Sequence, residues 1–204
     1  MSTKILMSFA MANQGAAFAN WLRDKLMKHY SLYAVDDVYM DSVVARSGNT
    51  RHATFREDFV GDAPAGTASV TPDRRDHMRS PTGAMPIGAA RADWNTLYKN
   101  AMREAQIMLF VYTEEYNDSV YCMQELGQFH MENGRRRRAH LPILRGVVLQ
   151  FNPGNLFGMN QTHVTRIPVT RTNGMRMGLA WDHGDFILSP PHLQLLTTTL
   201  GPLI

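Results

Sequence analysis

A polar stripe lies on a helix that follows the most apolar segment of the chain. Its members recur at the spacing of one helical face and are Tyr121, Glu125 and Gln128. A carboxylate held where little water reaches can stabilise positive charge that develops during a reaction. Glu125 is therefore the first candidate for a catalytic residue.

The residues before this stripe indicate how it is positioned. Residues 107–111 form a short apolar run, which is typical of a strand buried on both faces of a parallel sheet. Three candidate N-cap residues then follow in a row, Asn117, Asp118 and Ser119. In open α/β sheets ligands bind at the carboxyl ends of the strands. A carboxylate early in the next helix therefore indicates an active-site edge.

This segment resembles the signature of TIR (Toll/interleukin-1 receptor) domains, in which a strand is followed by Y-x-x-S-x-W-C-x-x-E-L. Five positions match at fixed spacing: Tyr116, Ser119, Cys122, Glu125 and Leu126. Tyr121 stands where the family more often has Trp. The resemblance covers about residues 4–151 and weakens in the tail.

The resemblance implies a function. In TIR domains that act on NAD⁺, the glutamate that corresponds to Glu125 is catalytic. It would help cleave the bond between nicotinamide and ribose, giving nicotinamide and ADP-ribose or a cyclic or otherwise modified product. The resemblance further implies prokaryotic anti-phage signalling, self-association through TIR–TIR contacts, and a downstream effector or activating partner. NAD⁺ would be a substrate, so no cofactor is expected.

Further residues are predicted to bind the substrate: Ser8, Phe9, Asp37, Tyr121 and Ser119. Ser8 and Phe9 stand where the family has a Ser-Tyr or Ser-Phe pair after its first strand. Aromatic side chains such as Phe9 and Tyr121 can stack on a nicotinamide or adenine ring. For Ser119 we favour helix capping over substrate contact. No metal site is predicted, because the eight histidines form no H-x-H or H-x-x-x-H pair.

The predicted fold is α/β, a flavodoxin-like parallel sheet flanked by helices, as in TIR domains. Residues 4–10 are predicted to form the first strand, residues 15–29 the first helix and residues 30–35 the second strand. A helix from about Asp93 leads into the central strand, and residues 141–151 are predicted to be the last parallel strand. Gly134 is predicted to end the motif helix, which would make residues 135–138 a solvated arginine turn.

Two regions depart from regular periodicity. Residues 45–91 are rich in Gly and Pro and are predicted to form an irregular insertion. We therefore predict a TIR-like domain over residues 1–151 and a C-terminal extension over residues 152–204 that packs on the same domain.

Composition limits the classes of function. A net charge of +3 over 204 residues makes a nucleic-acid partner unlikely, although the pI is near 9.2. A single cysteine, Cys122, rules out an intrachain disulfide and suits a reducing cytoplasm. No apolar stretch approaches the ~20 residues of a membrane span. The apolar N-terminal run is short and interrupted by Asn13 and Gln14, which disfavours a signal peptide.

Two other functions remain open. One is a non-catalytic TIR scaffold or adaptor, because a fold does not determine function. The other is a nucleoside deoxyribosyltransferase-like N-glycosidase, which also places a glutamate on the helix after a central strand. A phosphoryl-accepting receiver domain is disfavoured, because it needs an Asp at the end of the central strand, where this chain has Tyr112-Thr113-Glu114.

Overall fold

The structure, a computed structural model, describes residues 3–10, 15–33, 37–40, 91–158, 161–169, 181–182, 185–186, 188 and 190–204. The predicted insertion over 45–91 lies, except for its last residue, outside the described residues. The strands are β1 Ile5–Phe9, β2 Val38–Tyr39, β3 Ile107–Tyr112, β4 Arg145–Gln150, β5 Val164–Pro168, β6 Trp181–Asp182 and β7 Asp185–Phe186. The helices are α1 Gly15–His29, α2 Arg91–Glu104, α3 Val120–Arg138 and α4 Pro190–Leu200, with 3₁₀ turns at Glu114–Tyr116 and Gly201–Leu203.

Five of the strands form one all-parallel sheet in the order β2-β1-β3-β4-β5. Helices flank the sheet, so the α/β class predicted from the sequence is confirmed. This strand order is that of flavodoxin-like doubly wound sheets, in which the order reverses between β1 and β3. Strands β6 and β7 form a separate antiparallel pair.

The central strand β3 divides the core into two layers. All six of its residues are buried, as expected for a parallel strand covered on both faces. Alternate side chains, beginning with Ile107, join a cluster with residues of α1 and α4. The others, beginning with Met108, join a cluster with residues of α2 and α3. The period of two in a strand thus assigns each residue to one helical layer.

The predicted second strand was wrong in position. Residues 30–33 are turn and coil, and β2 begins only at Val38. The physical reason is that the end of α1 already uses their backbone groups. Ser31 adopts a left-handed φ of 52°, its N–H bonds to Lys28 O, and Leu32 N–H reaches back to Met27 O. These bonds form a Schellman cap, which is incompatible with a strand over the same residues.

The predicted end of the motif helix was also wrong. Helix α3 continues through Gly134 to Arg138, so the arginine run is its last turn. His140, with a φ of 53°, takes the left-handed position, and Leu141 N–H bonds to Arg136 O. Gly134 was therefore not needed as a cap. Arg136 is buried within the fold, contrary to the predicted solvated turn.

The sheet also has one more strand than predicted. Residues 141–151 were predicted to hold the last parallel strand, but β5 pairs in parallel with β4 beyond it. In its described residues, the connection from β4 to β5 contains no helix. Phe157 of this connection instead covers the sheet face, and its ring packs edge-on against those of Phe110 and Phe129.

Candidate functional site

The carboxyl ends of β1 and β3 meet where the strand order reverses. Ser8 of β1 pairs with Phe110 of β3, one residue before β1 ends. The 3₁₀ turn Glu114–Tyr116 follows β3, and α3 begins four residues later at Val120. Ligands in doubly wound sheets bind in the crevice at such a switch point. The predicted active-site edge therefore coincides with the topological switch of the sheet.

Glu125 is buried at this edge, with only 6% of its surface exposed. Helix α3 carries it there because Ser119 starts the helix immediately beyond the sheet edge, with its Oγ accepting from Cys122 N–H at 3.3 Å. Ser8 Oγ donates to Glu125 Oε2 at 2.5 Å. A buried carboxylate needs such hydrogen bonds, because desolvation without them is costly.

Tyr116 completes the cluster. Its hydroxyl lies 2.5 Å from Ser8 Oγ, and its side chain is fully buried. Since the single hydroxyl proton of Ser8 goes to Glu125, Tyr116 donates to Ser8. Burial, followed by the neighbouring Cys122 and Glu125, holds the pKa of Tyr116 well above its usual value of 10.0, so the phenol stays protonated and keeps its role as donor.

The resulting chain of hydrogen bonds runs from Tyr116 through Ser8 to Glu125. Hydroxyl donors orient a carboxylate without cancelling its charge, unlike a salt bridge to arginine. The arrangement can therefore present a fixed negative charge to a group that becomes positive during a reaction.

Thr113 adds an uncommitted hydroxyl at the same edge. It follows β3 directly, it is 4% exposed, and its buried Oγ1 has no hydrogen-bond partner among the residues that the structure describes. It occupies the N-cap position of the 3₁₀ turn but makes no side-chain cap bond there. A buried hydroxyl without a partner costs about 1–3 kcal/mol, which a bound polar ligand or water would offset.

Sequence reasoning assigned no role in the site to Thr113 or to the Tyr116 hydroxyl. Tyr116 was identified only as a position of the motif. The available signal for both was that they are the polar or amphipathic residues nearest the end of the buried strand, where ligands of parallel sheets bind.

Ser119 and Tyr121 lie at the start of α3. The preference for Ser119 as a helix cap is confirmed by its hydrogen bond to Cys122 N–H. Tyr121 is half-buried in the first turn, one turn before Glu125. Its predicted role as an aromatic wall of a pocket remains a prediction.

The structure does not bring Phe9 to Glu125. Adjacent residues of a strand point to opposite faces, so Phe9 cannot share the face of Ser8. Phe9 is buried in the cluster that includes Phe18 and Phe151, on the α1 side of the sheet. Glu125 belongs to α3, on the other side.

Asp37 lies at the opposite edge of the sheet. It precedes β2, and its carbonyl oxygen accepts from Lys4 and Ile5 N–H at the amino end of β1. Its carboxylate accepts from Tyr33 N–H at 3.2 Å. Ser8 lies three residues further along β1 than Ile5, or about 10 Å at the usual rise of a strand. The prediction placed Asp37 after the second strand, and the shift of that strand moves it to the amino edge.

A loop after β4 closes the other side of the switch point. Phe151 and Asn152 N–H both bond to Tyr112 O, and Asn152 Nδ2 donates to Thr113 O at 3.3 Å. A Cβ at Gly154 would lie 2.7 Å from the Tyr112 hydroxyl, so only glycine fits without a shift. This loop therefore fixes the backbone around Thr113.

Within the described part of the chain, no cluster of three or more His, Cys, Asp or Glu side chains suited to a metal ion occurs. Nor does that part contain a helix with the length and apolar character needed to cross a membrane.

Comparison of the chain with protein-family models, with curated proteins and with solved structures finds no match.

Proposed function

We propose that this chain is a TIR-like enzyme that cleaves the nicotinamide–ribose bond of NAD⁺. The observation that carries the proposal is a buried Glu125 carboxylate, hydrogen-bonded to Ser8, at the β1/β3 switch point of a parallel sheet. The TIR-like motif around Tyr116, Ser119, Cys122 and Glu125 supplies the choice of substrate.

The chemistry suits a fixed carboxylate. When the bond to nicotinamide lengthens, positive charge builds on the ribose in an oxocarbenium-like state. Glu125 stabilises this charge, and a site with little water strengthens the interaction. Nicotinamide leaves as a neutral molecule, so no strong general acid is required.

The hydroxyl chain has a positioning role in this proposal. Ser8 holds one oxygen of Glu125, and Tyr116 holds Ser8, which restricts the carboxylate to one orientation. The uncommitted Thr113 hydroxyl is a hydrogen-bond partner for a ribose hydroxyl of the substrate. Water as the attacking group gives ADP-ribose, and a hydroxyl or the adenine of the same molecule gives a cyclic product.

The biological setting follows from the resemblance alone. A prokaryotic anti-phage role, self-association and an activating partner belong to the same proposal and depend on it.

The direct test is product analysis by liquid chromatography and mass spectrometry after incubation with NAD⁺. The variant Glu125→Gln keeps the shape and an acceptor for Ser8 but removes the charge. We expect it to lower the rate of nicotinamide release by roughly 10²–10³-fold, the scale for removing one preorganised charge-stabilising group.

The matched control is Glu114→Gln, which removes an exposed carboxylate at the same sheet edge. We expect it to retain the wild-type rate. Equal activity of wild type and Glu125→Gln would refute the assigned role of Glu125. No turnover by the concentrated wild-type protein would instead favour the scaffold function.

A further inference from the structure

A second concave site lies away from Glu125, between the C-terminal half of α3 and the β4–β5 connection. It is a cavity of about 440 Å³. The residues that line it are His130, Asn133, Arg137, Gln161, Thr162 and His163. Its volume falls within the range of about 300–1,000 Å³ that small-molecule sites occupy.

The cavity exists because a loop, in place of a helix, crosses this face of the sheet. Phe157 of the loop packs edge-on against Phe110 and Phe129, with ring centroids 5.3 and 5.7 Å away. The His163 ring stacks on Phe129 with centroids 5.8 Å apart and planes 20° from parallel. These aromatic contacts fix the position of His163 at the cavity wall.

The lining side chains are donors or cations, and none of these six residues is acidic. Arg137 supplies a guanidinium, Gln161 an amide and Thr162 a hydroxyl. Asn133 is already committed, because its amide both donates to Leu144 O and accepts from Leu144 N–H. Its role is to anchor α3 to the start of β4.

The two histidines add imidazole N–H donors to this set. Burial lowers the pKa of His130, and burial followed by the charges of Arg137, His130 and Arg145 lowers the pKa of His163. Both rings are therefore protonated less readily than a free histidine. The Nε2 atom of His163 is buried and has no hydrogen-bond partner within the described residues. A buried polar atom without a partner favours binding of a group that can supply one.

We propose that this cavity binds a small phosphate monoester, with the phosphate held by Arg137, His130 and His163. A phosphate has several acceptor oxygens, so it can use a planar guanidinium and imidazole N–H groups together. The volume beyond the phosphate accommodates the organic part of the ester, with Gln161 and Thr162 as its polar contacts. A phosphate group, whose oxygens accept hydrogen bonds, fits a lining rich in donors better than a cation or a neutral amine does.

The helix C-terminus opposes an anion at this place, but the opposition is small. The macrodipole contributes roughly half a negative charge at the end of a helix. Arg137 contributes a full positive charge, and Arg145 lies close enough to His163 to lower its pKa. The local field therefore favours an anion.

This cavity is separate from the proposed catalytic site. Arg137 lies twelve residues after Glu125 on α3, or about 18 Å along the helix and a third of a turn around it. Substitutions at Arg137 therefore leave the Ser8–Glu125 contact in place, and the two proposals can fail independently.

The test is a titration of the histidine ring signals by NMR at constant ionic strength. The probes are ribose 5-phosphate and inorganic phosphate, with potassium chloride as the ionic control. We expect saturable shifts of the His130 and His163 signals with ribose 5-phosphate, at a lower Kd than with inorganic phosphate. The variant Arg137→Gln should raise the Kd at least tenfold, and Arg138→Gln, an exposed neighbour that does not line the cavity, should not change it.

Three results would overturn the proposal. Shifts that do not saturate, or that chloride reproduces, indicate general screening. An equal response of the Arg137→Gln and Arg138→Gln variants would show that Arg137 does not hold the ligand. Equal affinity for the sugar phosphate and inorganic phosphate would show that the cavity does not recognise an ester. Unchanged thermal unfolding of both variants establishes that each has folded.

Discussion

Helix α3 carries two buried glutamates on one face, and the groups that donate hydrogen bonds to them differ. Glu125 and Glu132 are seven residues apart, about 10 Å along the helix. Glu125 accepts a hydrogen bond from a neutral hydroxyl, Ser8, at the carboxyl edge of the sheet. Glu132 accepts from two arginines, Arg135 at 2.7 Å and Arg136 at 2.8 Å, near the other end of the helix.

The contacts of Glu132 give it a structural role. Arg136 bonds to Glu132 and also donates to Met102, Arg103, Ala105 and Pro142 carbonyl oxygens. Met102 and Arg103 belong to the last turn of α2 and Ala105 follows it directly, and carbonyls at a helix end lack intrahelical partners. Glu132 and Arg136 thus fasten α3 to α2. In general, hydrogen bonds from hydroxyl groups leave the charge of a carboxylate in place, whereas two guanidinium groups neutralise it.

The largest effect on stability is expected at Arg136. The variant Arg136→Met retains much of the apolar stem but removes all of these hydrogen bonds and leaves Glu132 without its buried partner. Breaking one side of a buried ion pair costs about 3–5 kcal/mol of unfolding free energy. Urea denaturation followed by circular dichroism measures the loss.

The control for this prediction is Arg135→Met. Its side chain is 42% exposed and, within the described residues, bonds only to Glu132, so its loss should be clearly smaller. Equal destabilisation by the two variants would show that the buried Arg136 contributes no more to stability than the partly exposed Arg135.

A smaller effect is expected from the hydroxyl chain. Ser8→Ala removes the hydrogen bond to Glu125 and the acceptor of the Tyr116 hydroxyl, which should lower the unfolding free energy by about 1–3 kcal/mol. Tyr116→Phe removes only one donor and should cost about 0.5–1.5 kcal/mol. The same denaturation experiment measures both variants. A larger loss of unfolding free energy in Tyr116→Phe than in Ser8→Ala would contradict hydrogen bonds that run from Tyr116 through Ser8 to Glu125.

The smallest effect is a pH dependence that belongs to Glu132. Although burial acts in the other direction, hydrogen bonds from Arg135 and Arg136 lower the pKa of Glu132 below its ordinary value of 4.5. A folded-state pKa below the unfolded one stabilises the protein above the unfolded value, and this contribution is lost as the pH falls through the folded value. The stability difference between wild type and Glu132→Gln should therefore be constant above about pH 4.5 and shrink below it. A stability difference that grows as the pH falls would contradict a stabilising interaction of the Glu132 carboxylate with Arg135 and Arg136.

Much of the fold was predictable because its signals are local. The apolar run of β3, the periodicity over residues 15–29 and the cap at Ser119 each depend on a few neighbouring residues. The burial of Glu125 at the sheet edge follows from a strand, a short turn and a helix in sequence.

What could not be predicted depends on contacts between distant residues. Nothing around Arg136 indicates that α2 ends beside it, so an arginine run was interpreted as a solvated turn. Residues 30–33 alternate like a strand, yet the cap at Ser31 uses their backbone. The prediction for Phe9 was a different kind of error. Neighbouring strand residues face opposite layers, so Ser8 and Phe9 could not both face the same site.

The most direct test compares Glu125→Gln with Glu132→Gln for both NAD⁺ cleavage and urea unfolding. We predict that Glu125→Gln lowers the rate of nicotinamide release by roughly 10²–10³-fold while its unfolding free energy stays close to wild type. Glu132→Gln should lose stability and, where it is folded, cleave NAD⁺ at the wild-type rate. Wild-type cleavage by Glu125→Gln, or an inactive but fully stable Glu132→Gln, would contradict the division of roles between the two glutamates.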